Sequence, residues 1–416
     1  MFQRLLKIAR QSKEDSRTMA LLPDKIKKSA LKKAAAHLLE NEEKILKANQ
    51  KDIELAKKNK LSNALIDRLL LNPKRIKDLA KSVEEIAELP DPNGEVIRDW
   101  QNSKGLRIQK KRVPLGVIAI IFESRPNVTA EAAALCLKAG NSVILRGGSE
   151  AFNSNTAISK IFNEAVVQEG IPPHAVTMIL DPNRKNIYAL SKMDQWIDLL
   201  IARGSEQMVR EIREQATVPV LGHGKGVCHV YIDSVCDQKM AENIALNAKV
   251  QRPGVCNAME TLLIHESQAK ELLPSLAKKY LDAGVLLKGD EISRKIVPQI
   301  QKAGEEDWKT EYLDLILSIK IVNSLEEAIV HINRYGSGHT EAIVTKSKEN
   351  AKKFLQEVDA AAVFHNSSTR MHDGAVFGLG AEIGISTQKL HARGTMGVRE
   401  LTTTKYVVYG KGQIRG

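Results

Sequence analysis

From residue 22 to about 90, apolar side chains recur at spacings of three and four. Ile26, Ala30, Leu31, Ala34, Ala35 and Leu38 form one stripe between Lys- and Glu-rich positions. That period predicts amphipathic helices. The segment "LPDPNGE" (89–95) ends them, because Pro and Asn-Gly punctuate turns. Next, "VIRDWQNSKGLRIQKKRVPLGV" reads as two strands around "NSKG", a hairpin that extends from the body as an arm.

The texture then changes. "GVIAII" (116–121), "SVIL" (142–145), "VTMI" (176–179) and "IDLLI" (197–201) are short runs too apolar for half-exposed strands. Helical patterns, "TAEAAALCLKAG" and "NSNTAISKIFNEAVVQEG", lie between them. Such alternation predicts a parallel sheet with right-handed crossovers and a ligand at the carboxyl ends of its strands. A second α/β block is expected from "GVCHVYID" (226–233) to beyond "DAAAVFHNSS" (359–368), and the tail "LTTTKYVVYGKGQIRG" reads as a strand. Tail and hairpin together suit either a dimerisation sheet or an ordinary edge. The fold class expected is α/β, a Rossmann-type cofactor layer beside a second α/β domain.

Composition narrows the class. The 416 residues are 43% hydrophobic and 27% charged, which excludes disorder, while only 4% aromatic residues means a core of Ala, Ile, Leu and Val. Four cysteines without a CxxC pattern fit a reducing compartment, so a cytoplasmic location is expected. The start, "MFQRLLKIARQSKEDSR", lacks the apolar core of a signal peptide, and no run is long enough to span a membrane. The net charge of +12 raises nucleic acid as a partner. However, the lysines alternate with acids along helices without interleaved aromatics, so solvated faces are expected and no nucleic acid.

Two strand-to-helix turns suit phosphate. One is "VILRGGSEAFNSN" with Arg146, Gly147, Gly148 and Ser149; the other is "LLIARGSEQMVREI" with Gly204 and Ser205. Glycines let a backbone approach a ligand, and a helix start offers free N–H groups to an anion. Neither fits GxGxxG or a P-loop, so a plain capped turn remains open for each. In "AKVQRPGVCNAMETLL" (248–263), Cys256 follows Pro253 and Gly254 on an irregular approach, where a thiol can face a cleft; a buried structural thiol is the alternative. Cys136, on the apolar face of "AAALCLKAG", fits the structural role, as do Cys228 and Cys236. No HExxH, paired-ligand spacing or GxSxG is present, so neither a metal nor a serine hydrolase is expected. "FESRPNVT" (122–129), "YGSGHTEAIVT" (335–345), "FGLGAEIGIST" (377–387) and "HARGTMG" (391–397) read as loops where binding groups tend to sit.

Taken together, "LSNALIDRLLLNP", "ESRPNVTAEAAALCLKAGNSVILRGGSEA", "QRPGVCNAMETLL" and "GLGAEIGISTQKLHARG" closely resemble the gamma-glutamyl phosphate reductases, also called glutamate-5-semialdehyde dehydrogenases, over essentially the whole chain. That family lies within the aldehyde dehydrogenase superfamily. The resemblance implies an NADPH-binding domain over 1–95 and 114–225, a catalytic domain over 226–390, and an oligomerisation arm from 96–113 and 400–416. It implies reduction of L-glutamyl 5-phosphate to L-glutamate 5-semialdehyde in proline biosynthesis, with Cys256 as the nucleophile that expels phosphate and leaves a thioester for NADPH. A thiolate is the right residue type for that step.

The same resemblance implies that Ser124 helps hold the oxyanion, and that Arg146, Gly147, Gly148, Ser149, Gly204, Ser205 and Glu311 contact the cofactor. An arginine near the ribose favours the 2′-phosphate of NADP. Arg125, Asn127, His391 and Arg393 are the candidate substrate binders, with Arg252 for the phosphate. Hydrolytic members of the superfamily carry a glutamate base where this chain has Val220. No carboxylate occurs between Ala216 and Val230, which disfavours a non-phosphorylating semialdehyde dehydrogenase. Thr395, His365 and Met371 depart from the family pattern and bear on loop stiffness and substrate fit. A homo-oligomer, dimer or tetramer, is expected, and the lability of the acyl phosphate suggests contact with glutamate 5-kinase. A basic scaffold protein on a decayed dehydrogenase fold is the remaining rival, favoured only by the charge.

Overall fold

The computed structural model describes residues 2–415 apart from His223; Met1, His223 and Gly416 fall inside the domain ranges above but lie outside the described residues. The predicted helical region resolves into helices Asp24–Glu40, Glu42–Lys58, Asn63–Leu69 and Pro73–Glu88. The stripe Ala30, Leu31, Ala34, Ala35 and Leu38 is fully buried. Pro73 opens its helix where an N–H would be unused, and Asn72 Oδ1 accepts from Arg75 N at 2.8 Å. A further helix, Phe2–Met19, precedes them and was not read from the sequence. Serines interrupt its buried stripe, Ser12 and Ser16 among Leu5, Ala9 and Met19, and Ser12 Oγ spends its proton on the His174 carbonyl at 3.1 Å.

The chain forms two compact units. The first comprises Met1–Gly222, Gly378–Gly384 and Met396–Gly416; the second comprises His223–Phe377 and Ile385–Thr395. In the first, strands β1 (Val96–Gln101) and β2 (Arg107–Pro114) make the expected hairpin, antiparallel with a bulge between Val96 and Arg98. A parallel sheet follows: β3 (Val117–Phe122), β4 (Ser142–Gly147), β5 (Val176–Met178), β6 (Leu199–Arg203) and β7 (Val220–Leu221), in the order β5-β4-β3-β6-β7. All six residues of β3 are buried, as a central parallel strand requires. Helix Val128–Lys138 crosses from β3 to β4, and Lys138, itself buried, reaches Asp24 at 2.5 Å and the Ala87 carbonyl at 2.9 Å.

The second unit is a seven-stranded parallel sheet of β8 (Cys228–Ile232), β9 (Met259–His265), β10 (Leu286–Gly289), β11 (Gln301–Lys302), β12 (Ile316–Val322), β13 (Thr340–Val344) and β14 (Ala362–His365). Its order is β11-β10-β12-β9-β8-β13-β14. A short antiparallel pair, β15 (Ile385–Ser386) with β16 (Gly394–Thr395), belongs to the same unit. Here the loop expected over 335–345 is corrected: its second half is β13, buried throughout. Polar His339, Thr340 and Glu341 disguise it, because each finds a buried partner instead of water.

Back in the first unit, the tail strand β17 (Thr402–Tyr409) pairs antiparallel with β2 from Thr402 opposite Pro114 to Tyr409 opposite Arg107, giving the sheet β1-β2-β17. Segments 378–384 and 396–416 both belong to the first unit, so the block assigned to 226–390 is interrupted. The arm is not a separate body, since β2 runs on through Gly116 into β3.

Candidate active site

In the first unit the cofactor candidates gather at the carboxyl ends of β3, β4 and β6, three adjacent parallel strands. Arg146 ends β4 buried; its Nη2 donates to the Pro182 carbonyl at 2.5 Å, its Nε is buried without a partner, and burial lowers its pKa. Gly147 and Gly148 have no room for a Cβ, which would meet Asn155 and the Glu150 carboxylate respectively; Ser149 is exposed. After β6, Gly204 lies against Met208 and Glu123. Ser205 then caps helix Glu206–Gln215, its Oγ accepting from Met208 N at 3.4 Å. Two acids that the sequence reading did not single out fill the local donors. Glu123 Oε2 accepts from Ser205 N at 3.1 Å. Glu150 Oε1 accepts from Ser124 N at 2.6 Å and from Ser124 Oγ at 3.0 Å. Ser124 sits at φ 49°, a turn that aims both of its donors at one carboxylate.

In the second unit Cys256 is half-buried, on the irregular stretch between helix Gln238–Val250 and β9. Its backbone is held from two sides. The Cys228 thiol donates to the Cys256 carbonyl at 3.2 Å, and Gly226 passes so close that a Cβ there would overlap Cys256 O, C and Cα. Burial pushes the Cys228 thiol well above its ordinary pKa, so it stays a proton-bearing donor; Cys136 and Cys236 are pushed up too. No carboxylate has been brought in by the chain from Ala216 to Val230. We expect Gly226→Ala to destabilise the protein by about 1–3 kcal/mol, the usual scale of overpacking. It should also change the rate of Cys256 alkylation by iodoacetamide, because only backbone atoms are available to yield. Urea denaturation and timed alkylation check both.

Four residues after Cys256, Glu260 on β9 is fully buried and meets buried Lys249 at 2.6 Å. Burial raises Glu260 to about 7 against the pull of Lys249, and burial likewise lowers Lys249. The other carboxylate oxygen accepts from Leu313 N at 3.2 Å, and Leu313 adopts a left-handed φ of 54°. The buried pair thereby fixes the loop that carries Glu311, whose charge is felt at Glu260. With both oxygens engaged, Glu260 is not available to activate water.

The substrate candidates separate by unit. In the first, Asn127 Nδ2 donates to Glu131 Oε2 at 2.9 Å, and Arg125 contributes charge to the same buried glutamate, whose pKa burial raises. In the second, Arg393 pairs with Asp359 at 2.7 Å with its Nε buried and unpartnered. His391 is exposed at φ 64°, and Arg252 is exposed in the Cys256 loop. Of the departing residues, His365 bonds the Thr345 carbonyl at 3.0 Å, Thr395 lies in β16, and Met371 is exposed. Arg370 was missed: it clamps the Cys256 loop through Gln251 and Asn257, residues on either side of the thiol. Only the sequence proximity of "STRMHDG" to the "GLGAEIG" loop hinted at it. Among the described residues no cluster of three or more His, Cys, Asp or Glu is placed to hold a metal, and no helix is long and apolar enough to cross a membrane.

A parallel cofactor-type sheet, two glycine turns at its strand ends and a braced cysteine loop define a class of protein. The sequence pattern of the aldehyde dehydrogenase family matches residues 3–311 and 308–407, and the chain belongs to that family of oxidoreductases, whose members use a nicotinamide cofactor. More narrowly, it is similar to the gamma-glutamyl phosphate reductases. That of Carboxydothermus hydrogenoformans is 55% identical over 412 residues, 99% of each chain, and that of Caldanaerobacter subterraneus 52% over 407 residues, 98% of each. The crystal structure of the Thermotoga maritima gamma-glutamyl phosphate reductase superposes with a TM-score of 0.96 at 47% identity, covering 99% of this chain and 100% of that one.

Proposed function

We propose that this chain reduces L-glutamyl 5-phosphate to L-glutamate 5-semialdehyde and phosphate, the second step of proline biosynthesis from glutamate, through a thioester on Cys256. The observation that carries the reading is the Cys256 loop: its backbone is pinned by Gly226 and Cys228, while the stretch from Ala216 to Val230 that supplies them contains no carboxylate to activate water. The Cys256 thiolate attacks the acyl carbon, the carbon–oxygen bond to phosphate breaks, and phosphate leaves with the electron pair. The Cys256 N–H donates to the oxyanion, and Ser124 is the side-chain candidate for the same role. When bound, NADPH supplies the hydride that reduces the thioester. Collapse of the resulting hemithioacetal returns the thiolate and frees the aldehyde.

The residues at the β3, β4 and β6 ends suit a dinucleotide. Arg146 has an unsatisfied Nε for the 2′-phosphate end, while Gly147, Gly148, Ser149, Gly204 and Ser205 offer backbone that a ligand can approach closely. Glu123 already marks the Ser205 amide as a donor aimed at an anion, a place that a pyrophosphate oxygen would take over. Glu311 meets the nicotinamide ribose. Arg125, Asn127, His391 and Arg393 bind the amino-acid end of the substrate, and Arg252 its phosphate.

The test is oxidation of glutamate 5-semialdehyde with NADP over a range of phosphate concentrations. Saturable dependence on phosphate, with little turnover in its absence, is expected; equal turnover without phosphate points to a hydrolytic dehydrogenase. The sheet β1-β2-β17 serves as the arm of a cytoplasmic dimer or tetramer. Contact with glutamate 5-kinase is tested by pathway flux, which should fall when an unrelated kinase supplies the acyl phosphate.

A further inference from the structure

Arg370 lies in a short turn, Thr369–Met371, fixed by buried Thr369 and by Ser368, whose hydroxyl accepts from Arg370 N at 3.3 Å. Its guanidinium reaches over the Cys256 loop. Nε donates to Gln251 Oε1 at 2.9 Å and Nη1 to Asn257 Oδ1, while Asn257 Nδ2 donates onward to the His372 carbonyl at 2.9 Å. Both partners are neutral amides. They orient the guanidinium without neutralising it, and Nη2 has no acceptor among the described residues. Its electrostatic neighbours are Arg252, which repels it, and Cys256, Asp373 and Cys228, which attract it. Asp373 Oδ1 already accepts from Ala375 N at 3.0 Å and Val376 N at 3.2 Å. Burial and Arg252 together lower the Arg370 pKa, outweighing the pull of Cys256, Asp373 and Cys228.

Two arginines beside a nucleophile, one clamped and one exposed, form a place for an anion rather than an ion pair. We propose that Arg370, with Arg252, binds the phosphoryl group of the acyl phosphate and the inorganic phosphate that leaves. A guanidinium held edge-on by two amides still presents donors to a tetrahedral oxyanion, and its charge favours departure of phosphate from the acyl carbon. The inference rests on the catalytic reading above and supplies its leaving-group site.

Inorganic phosphate is the probe, with Arg370→Gln and Arg370→Lys as variants of the full chain. In the semialdehyde-oxidising direction Arg370→Gln should raise the KM for phosphate roughly 10- to 100-fold, the scale of losing a hydrogen bond to a charged group. The KM values for semialdehyde and NADP should change little, and Arg370→Lys, which keeps the charge, should recover part of the loss. Phosphate should also slow alkylation of Cys256 by iodoacetamide in the wild type but not in Arg370→Gln. A purely structural clamp would instead raise all three KM values together, without rescue by lysine. Unchanged phosphate KM and unchanged protection in Arg370→Gln would overturn the proposal alone; wild-type turnover independent of phosphate would overturn the catalytic reading and this site with it.

Discussion

Replacing Cys256 by alanine should lower turnover by about 10⁴-fold or more, the scale seen when a covalent nucleophile is removed, while the protein stays folded. The expectation rests on how the residue is held. Cys228 and Gly226 act on the Cys256 backbone, not on its sulfur, so losing the thiol leaves the loop in place. The side chain is only half-buried, so the cavity cost is small. NADPH binding, followed by quenching of protein fluorescence or by calorimetry, should be unchanged. A variant that keeps substantial phosphate-dependent turnover would mean that another group carries the acyl intermediate. Cys228 and Cys236 are poor substitutes, because burial keeps their thiols protonated.

Lys249→Met should destabilise the protein by about 3–5 kcal/mol, the usual result of stripping one partner from a buried ion pair. Lys249 and Glu260 are both fully buried and 2.6 Å apart. Without the lysine, Glu260 has only the Leu313 amide and must carry its charge in an apolar interior or take up a proton. Its folded pKa, already about 7, then rises further above the ordinary 4.5. A carboxylate raised in the folded state binds more protons there than when unfolded, so its contribution to stability is present at low pH and lost as pH rises. The deficit of Lys249→Met should therefore be small below pH 4.5 and grow through and beyond pH 7. Replacing both residues with apolar ones of similar size should recover most of it. Urea denaturation at several pH values measures each point, and a deficit that shrinks with rising pH would contradict the assignment. Because Glu260 also holds Leu313, the same variant should disturb the Glu311 loop.

Much of this arrangement is legible in the chain because it is local. The helical stripe around Ala30 to Leu38, the apolar runs that become β3, β4 and β6, and the Pro-Gly approach to Cys256 each depend on residues within a turn or two. What the sequence hides is long-range. Gly226 looks like any glycine in "GHGKGV" until Cys256, thirty residues on, is found against it. Thr340 and Glu341 read as loop polarity, yet they lie on a buried strand because His372 and His229 arrive from other elements to bond them. Arg370 belongs to the Cys256 loop only through a contact spanning more than a hundred residues. Glu123 and Glu150 likewise became visible only when three parallel strands ended side by side.

The central claim is that Cys256 carries an acyl group which phosphate, not water, removes. Mixing the protein with excess glutamate 5-semialdehyde and NADP in phosphate-free buffer tests it directly, by following the appearance of reduced cofactor. The account predicts a burst of one NADPH per chain, then near-arrest that added phosphate relieves, with no burst from Cys256→Ala. Steady NADPH formation without phosphate would contradict it.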